Sequence, residues 1–251
     1  MISSAKIKFI HSLSRKKERT ANGLFIAEGP KIVEELSQKL PCSFIVATES
    51  WLESHTEIDA EQKVCVNEDE LKKVSLMQTP QEVLGLFRIP NNSGGIGLSE
   101  HKLCIALDGI QDPGNLGTII RIADWFGIEH VFCSTGTADV FSPKAIQATM
   151  GAIARVQTHY VNLNQEIASL PSGIPVYGTF MNGKTIYNEE LSKNGIIIMG
   201  NEGSGISPEL ERYITNRIGI PSFPPNRPTS ESLNVAVATA IVCSEFRRRL
   251  L

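Results

Sequence analysis

The sequence predicts an α/β fold, and three observations carry that prediction. Short apolar runs fit for strands alternate with helical apolar spacings along the whole chain. One stretch, PNNSGGIGLSEH from Pro90 to His101, is rich in Pro, Gly, Asn and Ser and has little to bury, so it reads as a linker. It divides the 251 residues into segments of about 90 and about 150, each long enough for a core of its own. The expected architecture is a small N-terminal α/β domain over residues 1–92, a linker over 89–100, and a C-terminal domain over 98–251 built on a mostly parallel sheet.

The elements follow in order. Ile7, Ile10 and Leu13 form one helical stripe. GLFIAEG reads as a short strand, and PKIVEELSQKL as a helix opened by proline at its first turn. SFIVAT, KVCV and VLGLFRI read as further strands. After the linker, KLCIALD is apolar enough for a strand buried on both faces. A helix is expected from Asn115, as N-cap, to Gly127, with Leu116, Ile119, Ile120 and Ala123 on its inner face. HVFCS, PVYGTF, GIIIMG and RIGIP read as the remaining strands. A last helix is expected from about Ser232 to Arg249, with Leu233, Val237, Ala240, Ile241 and Phe246 apolar. Helices between apolar strands imply a parallel sheet with both faces covered.

Composition narrows the class. Hydrophobic residues make up 41%, charged residues 20% and aromatics 6%, which excludes collagenous, disordered and coiled-coil chains. The basic N-terminus, MISSAKIKFIHSLSRKKER, has no continuous apolar stretch and no small-residue cleavage site, so no secretory leader is expected. Cys42, Cys65, Cys104, Cys133 and Cys243 are odd in number, widely spaced and never in C-x-x-C, so neither a disulfide framework nor a metal site is expected. The expected compartment is the reducing cytoplasm. Charge is segregated: residues 1–31 hold seven basic and two acidic groups, residues 32–70 two basic and ten acidic. The basic end fits either an electrostatic footprint for phosphates or a solvated helix face.

Three segments stand out from plain scaffold. In LDGIQDPGNLGTIIRIADWFG (107–127) a strand runs through a DPGN turn into a helix. In IIIMGNEGSGIS (196–207) a strand runs into a glycine-rich loop that carries one carboxylate, Glu202. In IGIPSFPPNRPTSESLNVAVATAI (218–241) a short strand leads through a Pro-rich loop to Ser232 and Asn234 at a helix start. Ligands of open parallel sheets bind beyond the carboxyl ends of the strands, where the first two loops fall. The common phosphate signatures are missing: GNLG is not G-x-G-x-x-G, and GNEGSGIS lacks the G-K-[ST] ending of a P-loop. That argues against a nicotinamide-dinucleotide oxidoreductase. H-E-x-x-H and G-x-S-x-G are also missing. The glycine loops suit a ligand held by backbone groups and apolar contacts.

At these residues the sequence resembles the SpoU-type (TrmH family) RNA 2'-O-ribose methyltransferases of the SPOUT superfamily. DPGNLGTIIRIADWFG, MGNEGSGIS and IP…ESLNVAVATAI are similar to the family's three motifs, in order and at similar spacing, and SPKAIQATMGAIARV resembles the segment between the first two. RKKERTANGLFIAEGPKIVEE resembles the small α/β RNA-binding domain many members carry. The resemblance implies a parallel-sheet domain with a C-terminal trefoil knot, a homodimer, and S-adenosylmethionine bound at the knot. It implies catalytic roles for Asn115, Arg121, Glu202, Ser232 and Asn234. It implies cofactor contacts from Met199, Gly200, Asn201, Gly203, Ile218, Ile220, Ser232, Leu233 and Asn234, and RNA contacts from Arg15, Lys16, Lys17, Arg19 and Lys144. The implied substrate is structured RNA, ribosomal first and transfer RNA second. The implied base, Arg121, keeps its proton to a pH above about 12, so stabilising a developing alkoxide or a neighbouring phosphate suits it better.

Plainer roles remain open at this point. Asn115 and Ser232 fit helix caps, Glu202 a loop brace, Arg121 a solvated helix charge, and Lys16, Lys17 and Arg19 a charged surface. A non-catalytic RNA-binding protein is the alternative reading of the whole. Two departures from the family pattern stand out: the loop SFPPNRPTSE is long and Pro-rich, and Gln147 stands where many members have Arg.

Overall fold

The computed structural model describes residues 2–91, 95–224 and 230–250; parts of the expected linker (92–94) and of the Pro-rich loop (225–229) lie outside the described residues. In chain order the elements are α1 (Ser4–Ser12), α2 (Lys16–Asn22), β1 (Leu24–Glu28), α3 (Pro30–Ser37), β2 (Cys42–Ala47), α4 (Glu49–Ser54), β3 (Lys63–Cys65), α5 (Glu68–Val74) and β4 (Val83–Arg88). Then come β5 (Leu103–Asp108), α6 (Pro113–Trp125), β6 (His130–Cys133), α7 (Pro143–Thr149), β7 (Gln157–Tyr160), α8 (Leu163–Ala168), β8 (Val176–Thr185), β9 (Gly195–Gly200), α9 (Pro208–Glu211), β10 (Asn216–Gly219) and α10 (Val235–Arg248). They form two compact units: Met1–Asn91 with Asp139–Arg155, and Asn92–Ala138 with Val156–Leu251.

The first unit is built on a four-stranded sheet in the order β1-β4-β2-β3. β4 runs antiparallel to both β1 and β2, and β3 is parallel to β2. Ile10 and Leu13, from the α1 stripe, are buried with Leu24, Ile26, Phe44, Val46, Leu84 and Leu86. The segment Asp139–Arg155, expected in the C-terminal domain, clusters here instead, and named contacts say why. The Phe141 ring lies 5.0 Å from Phe25. Arg19 pairs with Asp139 at 2.5 Å, and Arg155 Nη1 donates to Glu35 at 2.7 Å. Gln147 Nε2 donates to the Glu28 carbonyl at 2.8 Å. Both rings are apolar surface that gains by leaving water, and the buried guanidinium needs its carboxylate, so chain separation is overridden by burial.

The second unit is built on a six-stranded sheet in the order β10-β8-β9-β5-β6-β7, parallel throughout. β5 and β9 lie side by side at its middle, Leu103 opposite Gly195 and Asp108 opposite Gly200. Residues 103–107 and 195–199 are buried, as a parallel strand covered on both faces requires. β7 was not expected: QTHY has no apolar run and sits at the sheet edge, where one neighbour suffices. Two helix starts also differ from expectation. α6 begins at Pro113 with Asp112 as its cap, not Asn115, because Asp followed by Pro offers both a side-chain acceptor and a preset first turn. α10 begins at Val235 with Asn234 as its cap, not Ser232. Among the described residues no helix is long and apolar enough to cross a membrane.

Candidate active site

The site lies in the second unit, where the central strands β5 and β9 end. Each strand delivers one loop. After β5, Gly109 turns the backbone with a positive φ of 71°, and Asp112 accepts from the Asn115 backbone N–H at 2.8 Å. That bond satisfies one open donor of the first helical turn and fixes Asn115 there. The inner face of α6, Leu116, Ile119, Ile120 and Ala123, is buried, which points Arg121 outward to solvent.

After β9 the chain folds back on itself. Asn201 N–H donates to the Gly205 carbonyl at 2.9 Å, and Gly205 N–H returns a bond to Asn201 at 3.0 Å. A Cβ at Gly200 would stand 2.4 Å from the Gly205 and Ile206 backbone, so only glycine permits this turn. The Asn201 side chain braces it from inside. Its Oδ1 accepts from Gly203 N–H (2.9 Å), Ser204 N–H (3.0 Å) and the Ser204 hydroxyl (3.2 Å). Its Nδ2 donates to the Gly109 carbonyl at 2.7 Å, tying the β9 loop to the β5 loop. A second tie runs from Ser207 N–H to Asp108 Oδ2 at 2.8 Å.

Held this way, the three motifs meet in one chain of hydrogen bonds. Asn234 Nδ2 donates to Asn115 Oδ1 at 3.0 Å, and Asn115 Nδ2 donates to Glu202 Oε1 at 3.0 Å. Asn234 Oδ1 in turn accepts from the Ala236 and Val237 N–H groups, capping α10. The two ends fix both amides. A carboxylate only accepts, so Asn115 must turn its NH2 to Glu202; a backbone N–H only donates, so Asn234 must turn its oxygen to the helix. Glu202 and Asn234 are exposed residues and Asn115 between them is half-buried, so both ends of the polar row face outward where a substrate can reach it. Among the described residues no hydrogen bond joins Arg121 or Ser232 to this row.

Comparisons with known proteins give the family of the chain. Residues 102–244 match the SpoU rRNA Methylase family, and residues 4–85 match the MRM3-like substrate binding domain. The chain belongs to the SpoU rRNA methylase family. Among its relatives in that family is the 23S rRNA (guanosine(2553)-2'-O)-methyltransferase RlmP of Bacillus subtilis, 32% identical over 96% of each chain. A TrmH-family structure from Porphyromonas gingivalis superimposes with a TM-score of 0.90 at 43% identity, covering 99% of each chain. An AdoMet-bound rRNA methyltransferase from Sinorhizobium meliloti superimposes with a TM-score of 0.85 at 30% identity, covering 100% of this chain and 97% of that one.

Within this SpoU chain the remaining expected residues fall into distinct settings. Met199 and Ile218 are buried in the sheet, so any ligand contact from them runs through the backbone. Gly203 and Gly205 present bare backbone, with little or nothing where a side chain would stand. Leu233 is 49% exposed. Arg15, Lys16, Lys17 and Lys144 belong to exposed residues of the first unit. Arg19 does not: it is 3% exposed, donates to the Leu13 and Ser14 carbonyls at 2.8 and 2.7 Å, and pairs with Asp139. The expectation that Arg19 contacts RNA is therefore corrected, because its guanidinium is consumed inside the unit. Gln147, too, serves the fold through Glu28. Sequence reasoning passed over Asp108, Asp112 and the bracing role of Asn201. The Asp-Pro-Gly-Asn run carried a cap signal for Asp112; nothing local to Asp108 signals its bond to Ser207, 99 residues away.

Proposed function

We propose that this chain transfers a methyl group from S-adenosylmethionine to a ribose 2'-hydroxyl of ribosomal RNA. The observation that carries the reading is the hydrogen-bonded row Asn234–Asn115–Glu202, which joins all three family motifs at the ends of β5, β9 and the start of α10. The residues present fit the cofactor. The fold-back at Gly200–Gly205 offers bare backbone donors and acceptors, Leu233 offers apolar surface, and Glu202 offers a negative charge suited to a sulfonium. Met199, Gly200, Asn201, Gly203, Ile218, Ile220, Ser232, Leu233 and Asn234 would hold it, and when bound it supplies an electrophilic methyl group.

The chain's own contribution is positioning. In-line displacement at a methyl carbon rewards alignment of nucleophile and leaving group above all. Asn115, locked between a carboxylate and a second amide, presents a fixed polar face to a ribose. Ser232, exposed beside Asn234, adds a hydroxyl to the same end of α10. Arg121, about one and two-thirds turns along α6 from Asn115, carries a permanent cation that stabilises charge developing on the 2'-oxygen or on the adjacent phosphate.

Several finer features belong to the same reading. Lys16, Lys17, Arg15 and Lys144 are RNA contacts of a substrate-binding N-terminal domain. The chain acts as a homodimer, supported by apolar surface on two helices that pack together: Trp125 at the end of α6 is 84% exposed and Val237 on α10 50%. The C-terminal part of the second unit carries the trefoil knot that the family resemblance implies. The enzyme works in the cytoplasm, in keeping with five free cysteines, four of them buried. RlmP acts on a guanosine, so guanosine 2'-O-methylation is the first outcome to look for. The test is calorimetric titration with S-adenosylmethionine and, separately, NAD, followed by mapping of ribose methylation on rRNA from a deletion strain. S-adenosylmethionine binding with one methylated site lost in the deletion strain supports the proposal. Binding of NAD alone, or an unchanged methylation map, overturns it. Arg121→Ala is expected to keep cofactor binding and lose methyl transfer.

A further inference from the structure

The first unit contains a cavity of about 310 Å³ that no motif accounts for. Ile26 and Glu28, two residues apart on β1 and so on one face of the strand, form its floor. Leu76 and Met77 wall one side, and Pro143, Lys144 and Gln147 of α7 the other. Three features define what would fit. The lining is mostly apolar, from Ile26, Leu76, Met77 and Pro143. The floor carries a carboxylate whose residue is only 5% exposed. The rim carries an ammonium, Lys144.

Glu28 is the informative group. One carboxylate oxygen accepts from the Leu76 N–H at 2.9 Å and the other from the Ser75 hydroxyl. A carboxylate has about four acceptor positions, so each oxygen retains one. Burial pushes the Glu28 carboxyl upward in pKa, the mark of an anion short of donors. A ligand that brings two adjacent N–H donors on a flat apolar body would satisfy both oxygens. The volume is at the lower end for small-molecule sites, about 300–1,000 Å³, enough for one base and not for an oligonucleotide. Unpaired RNA bases are read in this way, by hydrogen bonds to their edge and by contact with their faces.

We propose that this cavity takes a single unstacked guanine base of RNA, its N1–H and N2 amino group donating to Glu28 and its neighbouring phosphate lying near Lys144. The inference rests on the RNA-binding role proposed above for this unit. α2, which carries Lys16 and Lys17, and α7, which carries Lys144, both pack on β1, so the cations of that role and the floor of the cavity share one strand.

The cavity is tested on the full chain with guanosine, adenosine, cytidine and uridine 5'-monophosphates as probes. The chain holds five methionines, and 13C labelling of their methyl groups reports each separately, with Met77 assigned by Met77→Leu. Guanosine monophosphate is expected to shift the Met77 signal saturably at millimolar concentration and to leave Met199, buried in the second unit, unmoved. Uridine monophosphate, with one ring N–H and no amino group, is expected to act at least fivefold more weakly. Met77→Trp, which fills the cavity from its half-buried rim, is expected to weaken rRNA binding about tenfold and to leave S-adenosylmethionine affinity unchanged. A Met77 signal unmoved by all four nucleotides, or an equal response to uridine and guanosine, overturns the proposal. So does unchanged rRNA affinity in Met77→Trp when the wild-type chain binds and methylates rRNA; the methyltransferase reading then stands without the cavity. A wild-type chain that binds no S-adenosylmethionine and methylates no RNA defeats that reading instead, and the Met77 titration still decides the cavity.

Discussion

The two units spend their polar side chains differently. In the first, Arg19 and Glu28 are buried, and every donor or acceptor partner named for them is part of the same unit: Asp139, the Leu13 and Ser14 carbonyls, Ser75, Leu76 and Gln147. In the second, exposed Glu202 and Asn234 and half-buried Asn115 bond to one another across 87 and 119 residues of chain. The first pattern closes a fold; the second assembles a surface. Charge and motif position do not separate the two cases, since Arg19 and Lys17 look alike in RKKER. Partners do.

Breaking the buried pattern carries the largest expected effect. Arg19→Ala leaves Asp139 without its guanidinium and two carbonyls without donors, and loss of one member of a buried pair costs about 3–5 kcal/mol. Urea unfolding followed by Trp51, buried in α4 of the first unit, in a Trp125→Phe background checks this, because Trp51 is then the sole tryptophan. A midpoint unchanged from wild type would remove Arg19 from the scaffold. Breaking the exposed pattern acts on rate instead. Asn115→Ala deletes the middle of the row, and loss of one preorganised donor at a reacting centre costs about 10²–10³ in kcat. Urea unfolding of the same variant is expected to stay within about 1 kcal/mol of wild type, since Asp112 still caps α6. The double variant Lys16→Ala, Lys17→Ala comes next. Its stability is expected to be unchanged, while rRNA affinity falls and the slope of log K against log salt drops by about 1–2. An unaltered salt slope would return both lysines to plain surface.

Most of the architecture was legible in the sequence because it depends on apolar periodicity. The buried runs LCIAL and IIIM and the α6 stripe are local patterns, and the structure follows them. β7 was missed because an edge strand need not be apolar. The attachment of Asp139–Arg155 to the first unit was missed because it rests on Phe25–Phe141 and Arg19–Asp139, pairs more than 100 residues apart that no spacing rule links. At the site the motif residues Asn115, Glu202 and Asn234 were legible as a set. Their bonding order was not, because it is imposed by two fixed ends, a carboxylate and a capped helix, that meet only in the folded chain. Asn201 was legible as a loop residue, but its side chain turned out to be the brace of that loop.

The finest test of the contrast between the units is the sign of two carboxylates. Glu245, buried near the end of α10, is held down to about 2 by hydrogen bonding to Arg248, with Arg249 beside it. Its folded pKa lies below that of an unfolded glutamate, so it adds stability that is fully present above about pH 4.3 and is lost as the pH falls through 2. Glu28 runs the other way. Burial raises its folded pKa, outweighing the bonds from Ser75 and Leu76, so the folded first unit binds its proton more tightly than the unfolded chain. Its contribution therefore declines as the pH rises from about 4.3 through the raised value. Unfolding of Glu245→Gln and Glu28→Gln between pH 3 and pH 7 separates them. Glu245→Gln is expected to lose stability at pH 7 and to approach wild type in acid. Glu28→Gln is expected to be closest to wild type in acid and to gain on it toward pH 7, read by Trp51 in the same Trp125→Phe background. The same sign of pH dependence for both variants would show that Glu28, like Glu245, is fully served by its partners, and would leave the floor of the cavity with no acceptor to offer.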